Sequence, residues 1–381
     1  MTDTVVSGVG ITKFGHFAET PIYVLTSEAV RNALEDAGLE WKDIQAAYCG
    51  CEDGGNACGH RALAELGHTG IPIVNIENAC SSGTSAFRLA YDAVAYGQYD
   101  TVLALGFEKC PRGAIPSTAF YDWQLKMGFN FQPANYALET REYMAETGIT
   151  VDDISRISVK NRQHAIYNPY ARFQKPVTLE EVNNSRMIAS PFRLLHCSAT
   201  SDGAVAIIIT RKDKAKNPSR TVAIKAASLV CGSYGTVLYG NGITGSVKFP
   251  PKHNYVEISA QQAYEAAGIG PEDVDVLQAY DSMAAAEIWD VEELGFCKKG
   301  ESAHLMQEGY FSLGGKKPSN TDGGIMGRGH AIGATGAAQI FEIVTQLRGE
   351  AGQRQVEGAR IGLTHAMGAG PNSAVVILAK N

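Results

Sequence analysis

One cysteine, Cys80, lies where a thiol could act as a nucleophile. It follows an apolar stretch at residues 73–76 and is followed by the small residues 81–83. Apolar residues then recur at helical spacing between residues 86 and 94, which predicts a strand, a tight turn and a helix. A thiol at a helix N-terminus feels the positive end of the dipole, which favours the thiolate. The pattern predicts a nucleophile, although free cysteines are more often simply buried.

A histidine far along the chain, His330, is the second reactive candidate. It lies in the glycine-rich segment 327–336, ahead of another stretch of helical periodicity from Ala337 to Leu347. By itself His330 would more often be structural. A base on one turn that faces a thiol on another is the arrangement used in Cys–His catalysis. We therefore predict that His330 pairs with Cys80.

Composition limits the classes of protein to consider. The chain has 381 residues, 45% of them hydrophobic and 19% charged, with a net charge of −7. This is typical of a globular protein with a large core and two or three domains, and it argues against a nucleic-acid partner. No signal peptide and no apolar run long enough to cross a bilayer is evident, so we expect no membrane association.

The eight cysteines are scattered along the sequence, which is typical of reduced thiols in a cytoplasmic protein. Cys49, Cys51, Cys58 and His60 are close enough in sequence to raise the question of zinc. Their spacing does not match the common Cys-x-x-Cys pattern, so we predict no metal site.

The two halves of the chain resemble each other. A predicted helix ends at Gly38 and is followed by a predicted strand at 44–48, and the same order recurs at Gly268 and 274–280. The Cys80 helix is followed by a strand at 101–106 and the His330 helix by one at 361–365. Each half then closes on an almost wholly apolar strand, at residues 204–209 and 374–378. Strands of this kind indicate α/β architecture with sheets buried between helices.

Prolines and aromatic residues interrupt the first half between residues 111 and 195, with no counterpart in the second. We interpret this segment as an insertion that forms a lid or pocket wall. Its aromatic residues would line a pocket or form a small core of the insertion. The predicted division is a first half at 1–117, an insertion at 118–195, the last strand of the first half at 196–215 and a second half at 216–381.

Four segments in this order, residues 8–15, 78–83, 201–204 and 329–336, resemble the thiolase superfamily, most closely its sterol-carrier-protein-X branch. The resemblance covers essentially the whole chain. It implies a duplicated five-layer α-β-α-β-α sandwich with an inserted loop domain. It also implies an acyltransferase that carries out reversible thiolysis or Claisen condensation of a 3-oxoacyl-CoA, with coenzyme A as substrate and no permanently bound cofactor.

The resemblance also implies roles for individual residues. Cys80 is similar to the nucleophile that becomes acylated, and His330 to the histidine that activates it. An oxyanion hole would come from the Cys80 N–H and a backbone N–H near Met367 and Gly368. Such donors lower a barrier by roughly 3–4 kcal/mol each.

The sequence departs from the family where a second catalytic cysteine is expected. The Cys-x-Gly turn is replaced by Ala366-Met367-Gly368, and the His-Asp-Cys-Phe motif of the sterol-carrier branch by residues 280–283, which read Tyr-Asp-Ser-Met. His365 is the candidate general base, because its usual pKa suits proton transfer near neutral pH, or it only shapes the turn. Tyr280 is a candidate hydrogen-bond donor to an oxyanion. Asp281 would orient a neighbour or cap a helix, and Ser282 is interpreted as a spacer.

Three functions follow as hypotheses. The first is a thiolase for a bulky, branched or aromatic 3-oxoacyl-CoA, similar to benzoylsuccinyl-CoA thiolase. The second is a thiolase-like aldolase that cleaves a 3-hydroxyacyl-CoA, and the third is a non-catalytic subunit that binds CoA or lipid. The resemblance further implies a homodimer and allows a small zinc-ribbon/OB-fold partner subunit. The basic residues placed to meet a CoA phosphate are Arg172, Lys175, Arg186 and Arg193.

Overall fold

The computed structural model describes residues 2–113, 122–128, 131–232, 254–369 and 371–381. Among these residues, no helix combines the length and the apolar character needed to cross a membrane.

The strands of the described residues form one large mixed sheet and a small hairpin. The nine-stranded sheet has the order β3-β2-β4-β7-β1-β8-β11-β10-β9, and β5 pairs with β6. The strands are β1 (Thr4–Ile11), β2 (Ala47–Gly50), β3 (Ile73–Ile76), β4 (Thr101–Glu108), β5 (Met187–Ala189), β6 (Phe192–Arg193), β7 (Gly203–Arg211), β8 (Val222–Cys231), β9 (Val276–Gln278), β10 (Ile361–Gly368) and β11 (Asn372–Lys380).

Helices connect these strands and cover both faces of the sheet. They are α1 (Ile22–Ala37), α2 (Cys58–Leu63), α3 (Ser82–Ala95), α4 (Asp122–Lys126), α5 (Gln132–Thr147), α6 (Val151–Ala165), α7 (Leu179–Asn184), α8 (Tyr255–Ala267), α9 (Ala284–Glu293), α10 (Ser302–Gln307), α11 (Gly324–Arg328) and α12 (Thr335–Arg348). Short 3₁₀ turns at Ala79–Ser81 and Ile332–Ala334 lead into α3 and α12.

The strand order confirms the duplication. From the middle of the sheet outwards, one half runs β1-β7-β4-β2-β3 and the other β8-β11-β10-β9. The halves meet through a short antiparallel contact in which Val5 pairs with Ala223 and Val6 with Val222. Helices α1 and α8 occupy equivalent places, and each ends at a left-handed glycine with φ of 68°, as the sequence predicts.

Three hydrophobic clusters separate the layers. One lies between α1 and the first half-sheet, one between α8 and the second, and the third joins both halves around α3 and α12. The two central helices begin close together: a Cβ on Gly83 would lie 2.6 Å from the carbonyl oxygen of Gly333. The predicted five-layer α/β sandwich is therefore confirmed, and its central layer brings the starts of α3 and α12 together.

Some details of the prediction are wrong. The strand predicted at residues 44–48 is β2, which spans Ala47–Gly50, although the backbone is already extended at Ile44 after the 3₁₀ turn at Trp41–Asp43. Leu89, predicted to lie on the buried face of α3, is 40% exposed. The buried face instead runs through Ala86, Phe87 and Ala90, and Leu89 lies at its margin.

The predicted insertion contains α4, α5, α6, α7 and the β5–β6 hairpin. Of its aromatic residues, Trp123 is exposed and Tyr136 is buried, whereas Phe120, Tyr121 and Phe129 lie outside the described residues. The domain boundaries themselves stay a prediction.

Candidate active site

A strained turn holds Cys80 at the start of the central layer. The preceding residue, Ala79, has a left-handed φ of 48°, which costs a residue other than glycine about 1 kcal/mol. Hydrogen bonds hold the turn in place: the Asn78 N–H donates to Ser82 Oγ at 2.8 Å and the Ala79 N–H to Glu77 Oε1 at 2.7 Å. The thiol is thus placed by backbone geometry ahead of α3, at the junction of the two halves.

His330 reaches the same point from the other half. Its Nε2 lies 3.5 Å from the Cys80 Sγ, and both side chains are buried. The loop that leaves the insertion holds the His330 backbone, because the His330 N–H donates to Ala199 O at 2.9 Å and the Ser201 N–H donates to His330 O at 2.8 Å. The structure therefore brings together the cysteine and histidine that the sequence singles out.

Thr335 determines which nitrogen of His330 carries the proton. Its Oγ1 lies 3.0 Å from Ala331 O and 2.8 Å from His330 Nδ1. The hydroxyl has one proton, which it donates to the Ala331 carbonyl, so it accepts a hydrogen bond from Nδ1–H. Nε2 is left as a lone pair that faces the thiol, which is the tautomer a general base requires.

Burial sets the resting charge of the pair. It lowers the pKa of His330 to about 4, with a further contribution from the Arg328 guanidinium. It raises the pKa of the Cys80 thiol, and the Glu52 carboxylate acts in the same direction. The expectation that the helix dipole favours a resting thiolate is therefore wrong, because desolvation outweighs it. The pair rests as a thiol and a neutral imidazole.

Tyr280 lies against the nucleophile. Its hydroxyl and the Cys80 thiol are hydrogen-bonded, and burial together with the nearby thiol raises the pKa of this phenol well above its usual value. Its backbone N–H donates to Asp290 Oδ2 at 2.7 Å. Tyr280 is thus a neutral hydrogen-bond donor at the Cys80 sulfur.

His365 lies behind Tyr280 rather than beside Cys80, and the two rings are 6.4 Å apart between centroids. The His365 side chain is fully buried on β10, with Nδ1 2.6 Å from Asp290 Oδ1 and Nε2 2.9 Å from Ser373 Oγ. Since both ring nitrogens face protein groups, the contacts favour a positioning role. Its predicted role as a general base remains a prediction.

A partly enclosed cleft opens onto Cys80. Met367 and Gly368 line it, beside the turn predicted to supply an oxyanion donor, and Gly368 passes so close to Asn78 O that only a glycine fits. The other lining residues come mainly from α5 and from tyrosines. They are Gln132, Asn135, Tyr136, Glu139, Tyr255, Tyr280 and Ala369.

Several polar residues around the site are structural. Asp281 accepts the N–H groups of Ile325 and Met326, at 2.7 and 3.1 Å, and so holds the start of α11. Ser282 Oγ donates to the Tyr136 hydroxyl at 3.2 Å, so it supports the cleft wall. Sequence reasoning missed Thr335 and Asp290 as residues that act on the site. Thr335 follows His330 by five residues in the same motif, which was a signal, whereas Asp290 carried none.

The residues considered for metal or phosphate binding have other contacts. Cys51 Sγ donates to Glu108 Oε1 at 3.2 Å and Cys58 Sγ to Asn75 Oδ1 at 3.4 Å. Across the parts of the chain that the structure describes, no three His, Cys, Asp or Glu side chains are grouped to hold a metal ion. Of the candidate phosphate ligands, Arg172 and Arg193 donate to the backbone carbonyls of Thr200 and Ser185, and Lys175 and Arg186 are exposed.

Comparison with known proteins agrees with this geometry. Residues 4–213 match the thiolase N-terminal domain family, and residues 250–381 match the thiolase C-terminal domain-like family.

Similar proteins span nearly the whole chain. An acetyl-CoA acetyltransferase of Methanothermobacter thermautotrophicus is 38% identical, with 99% of both chains covered. The benzoylsuccinyl-CoA thiolase subunit BbsB of Thauera aromatica is 37% identical, over 96% of this chain and 94% of that protein. Sterol carrier protein 2 of Oryctolagus cuniculus is 36% identical, over 98% of this chain and 71% of that protein.

Among solved structures, the Ltp2-ChsH2(DUF35) aldolase superposes with a TM-score of 0.87 at 27% identity and covers 100% of this chain and 98% of that one. The family matches and the relatives agree with the structure, in which Cys80 and His330 are paired at the centre of a duplicated sandwich. This chain belongs to the thiolase family and is an acyltransferase of the sterol-carrier-protein type.

Proposed function

We propose that the protein cleaves or forms a 3-oxoacyl-CoA through an acyl intermediate on Cys80. One observation carries the proposal: the Cys80 thiol faces the unprotonated Nε2 of His330, whose tautomer Thr335 fixes. A neutral imidazole at this distance can take the thiol proton as the sulfur attacks. Thiolysis needs such a nucleophile because the acyl group must be held covalently between two thiols.

In the first half-reaction, Cys80 Sγ bonds to C3 of the substrate while His330 Nε2 takes the thiol proton. The former 3-oxo oxygen becomes an alkoxide, which we propose is stabilised by the backbone N–H groups of Cys80 and of Met367 or Gly368. The C2–C3 bond then breaks, and its electron pair forms the enolate of the CoA thioester fragment that contains C1 and C2. We assign Tyr280, a neutral phenol at the sulfur, as the donor of a proton to this enolate.

In the second half-reaction, the thiol of a CoA molecule attacks the carbonyl carbon of acyl-Cys80 and gives its proton to the Tyr280 phenolate. The Cys80 sulfur leaves and recovers its proton from His330. His330 returns the thiol proton to Cys80, and the CoA thiol proton replaces the one that Tyr280 gave to the enolate, so both protein groups are restored and the cycle needs no permanently bound cofactor. In this scheme Asp290 and His365 hold Tyr280, since Asp290 bridges the Tyr280 N–H and the His365 ring.

For the substrate, we propose a bulky, branched or aromatic acyl group. Aromatic side chains support this: Tyr136, Tyr255 and Tyr280 line the cleft, and Trp289 stacks on Tyr136 at 6.5 Å between ring centroids. The name of the BbsB relative, a benzoylsuccinyl-CoA thiolase subunit, agrees with an aromatic substrate.

For assembly, we propose a cytoplasmic homodimer that works with a small zinc-ribbon/OB-fold subunit. The names of two similar proteins support a partner, since BbsB is called a subunit and the Ltp2 structure includes a DUF35 protein. Light scattering of the purified chain, alone and co-expressed with a DUF35 protein encoded nearby, tests both parts of this proposal.

A specific observation favours a second candidate, a thiolase-like aldolase acting on a 3-hydroxyacyl-CoA. The Ltp2 structure with a TM-score of 0.87 is named an aldolase, and Tyr280 is placed to serve a retro-aldol step that needs no acyl-cysteine. The intact Cys80–His330 pair favours the thiolase. A non-catalytic CoA- or lipid-binding subunit is the third candidate, and a Cys80 that stays unreactive with iodoacetamide would support it.

Intact-protein mass spectrometry with peptide mapping tests these candidates. The protein is mixed with a panel of 3-oxoacyl-CoAs and 3-hydroxyacyl-CoAs, with and without free CoA. An acyl adduct on Cys80 that CoA removes supports the thiolase. Cleavage of 3-hydroxyacyl-CoAs without an adduct, and without consumption of CoA, assigns the aldolase instead.

A further inference from the structure

Two free cysteines outside the active site, Cys51 and Cys58, are in contact beneath a surface loop. Their thiols are hydrogen-bonded to each other. Both sulfurs also lie close to Gly54, where a Cβ would be 2.8 Å from Cys51 Sγ and 3.3 Å from Cys58 Sγ. Both side chains are buried, and residues 53 and 55–57 of the loop between them are exposed. Contacting thiols so near the surface are the starting point for a disulfide.

The two thiols differ in reactivity in the way that thiol–disulfide exchange requires. The hydrogen bond with Cys51 lowers the pKa of Cys58 to about 7, and the Gly59 N–H contributes in the same direction. The same hydrogen bond, together with burial and the carboxylate of Glu108, raises the pKa of Cys51. Near neutral pH, Cys58 is therefore the thiolate that attacks, and Cys51 is the thiol that reacts second.

Glu108 connects this pair of cysteines to the active site. Its Oε1 accepts the Cys51 thiol at 3.2 Å, and its Oε2 accepts the Gly333 N–H at 3.2 Å. Gly333 lies in the turn Ile332–Ala334, which leads from His330 into α12. A Cβ on Gly333 would lie only 2.7 Å from the Cys51 Cα, so the two segments are in close contact. A change at Cys51 is thus transmitted to the segment that carries the histidine.

We propose that Cys51 and Cys58 are a redox-active dithiol, and that their oxidation by a low-molecular-weight disulfide slows the acylation of Cys80. The first part goes beyond the proposed function, and the second part rests on it, because it concerns the catalytic cysteine. The new disulfide takes the Cys51 S–H away from Glu108 and shifts the backbone that packs against Gly333. In a reducing cytoplasm the pair stays reduced, and the disulfide forms only transiently.

Oxidised glutathione represents the oxidant, and the exchange with it balances. The Cys58 thiolate, which has lost its proton to water, attacks one glutathione sulfur, and the S–S bond breaks as the first glutathione leaves and takes up a proton. The Cys51 sulfur then attacks the Cys58 sulfur of the mixed disulfide while its proton passes to Glu108. The second glutathione leaves and takes up that proton. Two protein thiols are oxidised, and one disulfide is reduced to two thiols.

Thiol counting tests the first part. The whole protein is equilibrated in glutathione redox buffers, quenched with acid, denatured and treated with N-ethylmaleimide before mass spectrometry. We expect the oxidised protein to take up two fewer maleimides than the reduced protein. Cleavage after Glu52 places the two cysteines on separate peptides, which only a disulfide joins.

Variants identify the partners in the disulfide. Cys49→Ala removes a buried cysteine of β2 and is the matched control, which should still form the disulfide. Cys51→Ala should stop at a mixed disulfide on Cys58. Failure of the wild type to form the disulfide between residues 51 and 58, or its loss in Cys49→Ala alone, would overturn the proposal.

Single-turnover acylation of Cys80 tests the second part. We expect the oxidised wild type to react about tenfold more slowly than the reduced protein, as for the loss of one buried hydrogen bond, and to recover with dithiothreitol. Cys58→Ala cannot form the disulfide and should react at the reduced wild-type rate in both buffers. Slowing that Cys58→Ala shares would assign the effect to Cys80 itself and contradict the proposal. Equal rates in oxidised and reduced wild type would refute the regulation, whereas no acylation of the reduced protein would refute the proposed function instead.

Discussion

The side chains of Thr335 and His330 are hydrogen-bonded in a way that fixes the catalytic tautomer. Oγ1 of Thr335 lies 2.8 Å from Nδ1 of His330 and passes its own proton to the carbonyl of Ala331. This hydrogen bond joins Thr335, the first residue of α12, to His330, which precedes the helix. As a result, the helix that forms the central layer also orients the imidazole towards Cys80.

Replacement of Thr335 by valine should therefore lower the rate at which Cys80 is acylated. Loss of one buried hydrogen bond costs about 1–1.5 kcal/mol, which corresponds to roughly a tenfold slower step. The measurement is single-turnover acylation followed by mass spectrometry. The conservative Thr335→Ser variant keeps the hydroxyl and should retain most of the rate. Equal rates in both variants would exclude the orienting role.

The acylation rate should stay constant through neutral pH and fall only in strong acid. In the proposed mechanism His330 must be neutral to act as a base, and its pKa is lowered from its usual value near 6.5 to about 4. Protonation, and loss of the base, is thus expected as the pH falls through about 4. The kcat/KM profile of a substrate without ionisable acyl groups measures this. A half-maximal rate near pH 6.5 would show that the imidazole is not held in its buried state.

The lowered pKa of His330 also makes the stability of the fold depend on pH between about 4 and 6.5. Because the folded pKa of His330 is depressed, its neutral form stabilises the fold fully above pH 6.5, and this contribution is lost as the pH falls towards 4. Urea titrations of the wild type and of His330→Asn at pH 7 and pH 5 measure this contribution. The free energy of unfolding should fall less on acidification in the variant than in the wild type. An equal loss in both proteins would assign the acid sensitivity to other groups.

Replacement of Cys80 by alanine should abolish both the acyl adduct and thiolysis. We expect a loss of at least about a thousandfold in kcat, since the covalent step has no substitute. Cys110, also buried in the cluster that contains Cys80, provides the matched control, and Cys110→Ala should keep the adduct. An adduct that survives in Cys80→Ala would identify a different nucleophile.

Tyr280→Phe separates proton transfer from nucleophilic attack. The phenol is hydrogen-bonded to the Cys80 thiol, so its loss should leave the first attack possible but slow the departure of the enolate. We expect kcat to fall by about a hundredfold with little change in KM. His365→Asn should have a smaller effect if His365 only positions Tyr280. A larger loss of kcat in His365→Asn than in Tyr280→Phe would instead support His365 as the base.

A buried ion pair beneath the site predicts a stability effect. Lys160 Nζ lies 2.5 Å from Glu287 Oε1, and both side chains are almost fully buried. Lys160→Met leaves Glu287 without its main counter-charge and should lower the free energy of unfolding by about 3–5 kcal/mol. The exposed pair of Lys299 and Glu146 is the control, and Lys299→Met should leave the urea midpoint unchanged. Similar midpoints for both variants would refute the prediction.

The sequence by itself determined the duplicated framework and singled out the two residues that the structure pairs, Cys80 and His330. Local rules were enough for this: glycines at 38 and 268 end equivalent helices, and the small-residue turns around Cys80 and His330 each lead into a helix. The two turns occupy equivalent places in the repeated halves, and the structure brings both to the central layer.

Only the tertiary structure decided how the site works. Whether the thiol is charged depends on burial by both halves, which outweighs the local dipole that the sequence shows. Tyr280 and His365 are both polar residues near the expected second cysteine. The contacts of His365 with Asp290 and Ser373, together with its packing behind Tyr280, place the phenol and not the imidazole at Cys80. Such contacts join residues far apart in the chain, so no local pattern could have predicted them.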